Sequence, residues 1–99
     1  MGTGEGTTQQ APQADTGELE QRLAADPDDH QARYDLAGAL MAQGDRDGAA
    51  DALLEIVQRD REWNEGAART RFLQLLESVG LEDPWARAQR RRLSALLFT

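Results

Sequence analysis

The sequence has no cysteine and no lysine: all 11 of its basic residues are arginine. Without cysteine there is no disulfide scaffold, no thiolate zinc site and no cysteine nucleophile. That absence fits a reducing compartment. No run of ~18 apolar residues occurs, so no membrane-spanning helix is expected. The first residues show no basic stretch followed by an apolar one, so no secretory signal is expected either. Catalytic motifs are also missing. There is no nucleophile paired with a base, no glycine-rich phosphate loop between a strand and a helix, and no metal-ligand spacing. The single histidine, His30, stands beside Asp28 and Asp29. An adjacent loop cluster of this kind has no fixed coordination geometry, so no metal is expected. The reading is of a non-enzyme without cofactors.

Charge is unevenly spread. The chain carries 18 acidic residues and a net charge of -7. Every acid lies within residues 1–83, where seven arginines leave a net of -11; residues 84–99 hold Arg87, Arg90, Arg91 and Arg92 and no acid. An acidic body disfavours nucleic acid, because phosphate binding needs net positive surface. An acidic, lysine-free surface suits a salt-rich cytoplasm or a GC-rich genome, and composition does not separate the two.

Residues 1–15 contain Gly2, Gly4, Gly6, Thr3, Thr7, Thr8, Gln9, Gln10 and Pro12 and almost nothing apolar. Such a stretch cannot bury enough surface to offset its ordering entropy, so it is expected to be a tail or linker. Residues 16–99 form the domain, about 80 residues, workable for a helical bundle.

Five helices are expected from apolar periodicity, and no strand. The first runs from about Thr16, a candidate N-cap, to Ala25, with Leu19 and Leu23 on one face; it stops at Asp26-Pro27, since the residue before proline avoids helical backbone. The second runs from about Asp29 to Gln43, with Ala32, Leu36, Ala37, Leu40 and Met41 as its stripe. Gly44 closes it. The third follows the Asp45 cap to about Arg59, carrying Ala49, Ala50, Leu53, Leu54, Ile56 and Val57. The fourth spans about Asn64 to Val79, with Ala68, Phe72, Leu75, Leu76 and Val79 inward, and Gly80 ends it. Asp83 then caps a fifth, with Pro84 at its first position. Connections of two to five residues favour antiparallel neighbours.

A narrower pattern lies within the bundle. The 34-residue tetratricopeptide signature, laid on residues 30–63, falls on Arg33, Leu36, Ala37, Leu40, Ala49, Leu53 and Arg61. Ala37 and Ala49 are small where paired helices come closest. The departures are Arg33 for tryptophan and Arg61 for proline. Pro27 stands 34 residues before Arg61, at the closing position of a preceding repeat, and Gly80 stands 36 after Gly44. The expected fold is therefore an all-α tetratricopeptide-like array of about five antiparallel helices, roughly two and a half repeats. The first helix would be an orphan second helix, which suggests a chain cut from something longer and Met1 as an expression start.

The stretches Leu19–Pro27, Leu53–Asp60 and Trp63–Arg69, the Leu75–Gly80 stop and the closing run Arg90–Phe98 resemble the C-terminal domain of the chaperedoxins, bacterial co-chaperones with a thioredoxin-like domain ahead of tetratricopeptide helices. The resemblance implies a cytoplasmic protein that holds unfolding clients and passes them to the chaperonin or the Hsp70 system. It also implies that the C-terminal helix docks on the chaperonin. The thioredoxin-like domain and its CxxC are not in this chain, so redox activity would belong elsewhere.

Two surfaces are candidates for partner binding. On the C-terminal helix they are Trp85, Arg90, Arg91, Arg92, Leu93, Leu96, Leu97 and Phe98. Leu93, Leu96 and Leu97 are expected to face inward, and Arg90, Arg91 and Arg92 to spread around the helix; capping and docking are compatible roles. In tetratricopeptide arrays the first helix of each pair lines a concave groove. By register, Gln31, Tyr34, Gly38 and Met41, then Ala67, Thr70 and Gln74, should face it, with Tyr34, Met41, Thr70 and Gln74 as contact residues. Trp63 and Trp85, each at a helix start, are expected to staple against the following turn. A stand-alone adaptor, or a capping or dimerisation appendage of a larger protein, are the alternative roles.

Overall fold

The starts of α2, α3 and α5 trace to local signals. In the computed structural model, which describes residues 16–98, α1 spans Thr16–Ala25, α2 His30–Ala42, α3 Arg46–Arg59, α4 Ala67–Val79 and α5 Pro84–Leu97. No strand occurs among the described residues. The expected tail at residues 1–15 lies outside them. Thr16, expected as a cap, is the first residue of α1 itself.

Asp29 caps α2 by accepting the Ala32 N–H at 3.0 Å, and Asp45 caps α3 by accepting that of Gly48 at 2.9 Å. Asp83 accepts the Trp85 N–H at the start of α5. Each carboxylate satisfies a main-chain donor that the helix leaves unpaired. That N–H bond from Ala32, helped by Arg22, holds the Asp29 carboxyl below its usual range. Between α2 and α3 the chain reverses at Gly44, whose φ of 85° is left-handed and natural only for glycine.

The core runs along α3, the most buried element. Ala49, Ala50, Leu53 and Ile56 are fully buried there, against Ala37 of α2, Phe72 and Leu76 of α4, and Ala86 of α5. The helices stack in chain order, α1 on α2, α2 on α3, α3 on α4, with α5 resting on both α3 and α4. The result is an elongated array of 54 × 29 × 20 Å. At the α1–α2 corner, Arg59 of α3 bonds Glu55 and reaches Asp28 at 2.8 Å, tying the loop down. Those two carboxylates raise the Arg59 pKa above its ordinary value.

The two hairpins differ in packing. Position 36 residues on, Ala37 is replaced by half-buried Leu73, Ala49 by Trp85, and fully buried Leu53 by Gln89. Larger side chains at the crossing hold helices apart, and α4 and α5 approach closely over much less of their length than α2 and α3 do.

One boundary corrects the sequence expectation. Helix α4 begins at Ala67, three residues after Asn64. Asn64 (φ 50°), Glu65 (φ 58°) and Gly66 (φ 80°) form a left-handed turn ahead of it. Only glycine takes this conformation without steric cost. The turn aims Trp63 backward onto α2.

Candidate functional site

On the side lined by α2 and α4, the aromatic ring of Tyr34 is the centre of a cluster. Trp63 lies tilted against it with centroids 5.4 Å apart, and His30 meets Trp63 edge-on at 6.1 Å. The Arg71 guanidinium sits 4.7 Å above the Tyr34 ring, a cation–π contact. Arg71 also crosses Gly38, where a Cβ would stand 3.5 Å from its Nη1. The guanidinium has no carboxylate partner among the described residues. The His30 Nδ1 is buried with no hydrogen-bond partner.

The expected groove residues are placed as follows. Tyr34 does face the α2–α4 side. Thr70 and Gln74 are exposed on α4 beside Arg71. Met41 is half-buried and packed on the core cluster, so its area is already used. Gln31 bonds Asp35 on its own helix at 2.9 Å. Trp63 does not staple onto the turn after it; it reaches back to α2, because the left-handed turn reverses its direction. Arg71, Trp63 and His30 were not expected in this cluster. The spacing of 71 and 74 on α4 would have admitted Arg71, since residues three apart share a helix face.

The second surface is α5. Its inner face buries Ala86, Gln89 and Leu93, with Leu96 and Leu97 packed partly against the core. Its start is fixed by Trp85, which also differs from the expected staple. The indole Nε1 donates to Asp47 at 2.5 Å, and the Arg46 guanidinium covers the ring at 4.6 Å; both partners belong to the first turn of α3. Arg92 turns to the same helix and bonds Asp51 at 2.8 Å. Near the other end, Arg61 bonds the Leu97 carbonyl at 3.5 Å.

The outer face of α5 is different. Successive helical residues turn by about 100°, so positions 87, 90, 91, 94 and 98 fall on one side. Arg87, Arg90 and Arg91 are exposed there, and their guanidiniums have no acceptor among the described residues. Phe98 closes the stripe at 83% exposure, the most exposed large apolar side chain described. The three consecutive arginines thus divide, two outward and one onto Asp51.

Among the described residues no group of His, Asp or Glu could hold a metal, and no helix is long and apolar enough to cross a membrane. Both surfaces offer what recognition uses: aromatic faces, arginines and exposed apolar area on rigid helices.

Stacked antiparallel helix pairs, the first closed on Ala37 and Ala49, define the class, an α-solenoid that presents helix faces. The family model described as tetratricopeptide repeat matches residues 9–98, and the chain belongs to that family. Its domains generally mediate protein–protein interaction and are generally non-enzymatic. No curated protein sequence matches the chain.

Proposed function

We propose that this domain is the docking module of a co-chaperone of the thioredoxin–tetratricopeptide type, with α5 as the contacting element. The observation that carries the reading is the two-sidedness of α5. One face is anchored in the core; the other presents Arg87, Arg90 and Arg91, without an acceptor among the described residues, beside an almost fully exposed Phe98. Capping and docking use opposite faces and do not compete. A partner would bury the Phe98 ring, worth about 1.5–3 kcal/mol, and set carboxylates against the arginines for orientation and on-rate. The resemblance of Arg90–Phe98 to the chaperedoxin closing run supports chaperone machinery or its clients as the partner, in the cytoplasm, with the thioredoxin-like part outside this chain.

The experiment is capture of the domain on purified chaperonin. Removing α5 would expose Phe72 and Leu76, so point changes are the better tool. Phe98→Ala and the pair Arg90→Glu/Arg91→Glu should each weaken capture at least about tenfold while leaving helical circular dichroism unchanged. Capture that survives both changes would overturn the role of α5. No capture of the parent domain would remove the chaperonin as partner and favour a stand-alone adaptor.

A further inference from the structure

The array is electrically polar along its length. At one end, α1 and the loop to Asp29 carry Glu18, Glu20, Asp26, Asp28 and Asp29, offset by Arg22 and by Arg33 and Arg59 reaching the loop from α2 and α3. At the other, α5 carries four arginines and no acid. The helices stack in chain order, so α1 and α5 do not pack on one another, and the charge left at each after Arg59 pairs with Asp28 and Arg92 with Asp51 is not neutralised by the other. No residue of α1 is buried; Glu20, Gln21, Ala24 and Ala25 lie open on it. On α5 the stripe Arg87, Arg90 and Arg91 is equally uncovered.

We propose that the outer face of α5 docks on the α1 end of a second copy, head to tail. Three observations favour this occupant. The two ends carry net charge of opposite sign. A phosphate polymer would meet the -11 carried by residues 1–83 as well as the arginines, and net acidic surface repels it. A lipid surface would need the apolar side of α5, which is turned into the core. The net charge of -7 opposes association at long range. At about 0.1 M salt, however, charges more than about 10 Å apart are largely screened, and the contacting ends decide.

Such a contact is heterologous, with different patches on the two partners, so it leaves one end free on each outer copy and does not close. Association should continue with concentration instead of stopping at a dimer. It also covers the arginines used for partner docking, so the two would compete; self-association itself does not depend on the co-chaperone reading.

The test is sedimentation of the full chain from about 20 μM to about 1 mM in roughly 0.1 M and 0.5 M salt. The average mass should climb from the 10.9 kDa monomer to at least twice that at low salt and fall back at high salt. Arg90→Glu/Arg91→Glu on α5 and Glu20→Arg/Gln21→Arg on α1 change exposed side chains without folded partners. Each variant alone should stay monomeric. Mixed, they offer one parental junction and one charge-reversed junction, both complementary, so the average mass should climb again. A parent monomeric throughout would overturn the proposal, as would an α1 variant that still associates, or a mixture that does not pair.

Discussion

The α2–α3 hairpin and the α4–α5 hairpin are built on the same plan and held together differently. In the first, Ala37 and Ala49 let the backbones approach, and Leu53 fills the space beside them; all three are fully buried. In the second, Leu73 and Trp85 stand at the corresponding positions and Gln89 replaces Leu53. The helices approach over less of their length, and α5, seated through Ala86 and Leu93, adds polar contacts at its edges: Trp85 to Asp47, Arg92 to Asp51, Arg61 to the Leu97 carbonyl. Exposed contacts of this kind each add little. The difference teaches where a repeat protein can carry function. A hairpin locked by apolar packing has no spare surface, whereas a terminal one loosely seated on the array can keep a whole helix face for a partner.

The largest test of that contrast is a cavity. Leu53→Ala should cost about 2–5 kcal/mol, measured by urea unfolding. At the corresponding place in the second hairpin, Gln89→Leu should cost no more than about 1 kcal/mol, since the apolar side chain it adds offsets the Arg92 hydrogen bond it removes. Equal losses at both positions would break the comparison. Next comes overpacking. Ala37→Leu should destabilise by about 1–3 kcal/mol, because the first hairpin has no room, although Leu73 is accepted at the related position in the second. A smaller effect is expected at the entry to α4. Glu65→Gly should raise stability by about 0.5–1 kcal/mol by relieving the left-handed backbone; a loss in urea unfolding would mean that the Glu65 side chain has a role its geometry does not reveal.

The mildest prediction concerns acid. The Asp29 carboxyl is held below the usual carboxylate range by the Ala32 N–H and by Arg22. A depressed carboxyl stabilises the fold above its unfolded pKa, and that contribution is lost as pH falls through the folded value. Asp29→Asn should therefore be less stable than the parent at neutral pH, and the gap should narrow once pH drops below about 4. A gap of constant size down to pH 2 would contradict the assignment.

How much of this was legible depended on how local the cause was. The ends of α2, α3 and α5 follow from Asp29, Asp45, Gly44 and the Asp83-Pro84 pair, which act within one turn. The alanine crossing follows from the repeat spacing. The start of α4 was misplaced because the left-handed turn at Asn64–Gly66 is set by where Trp63 must go, and its target, Tyr34, is on another helix. Trp85 misled in the same way, since its partners Arg46 and Asp47 stand almost forty residues earlier. On α5, the i, i+3 and i+4 spacing of Arg87, Arg90 and Arg91 was visible in the sequence. That Arg92 leaves the group for Asp51 was not.

The most direct measurement compares the two surfaces in one titration. Arg90→Glu/Arg91→Glu and Tyr34→Ala/Arg71→Glu would be titrated against the same purified chaperonin. If α5 is the docking element, the first pair loses binding by at least about tenfold and the second binds like the parent. The reverse order would place recognition in the Tyr34–Arg71 cluster and leave α5 as a cap alone.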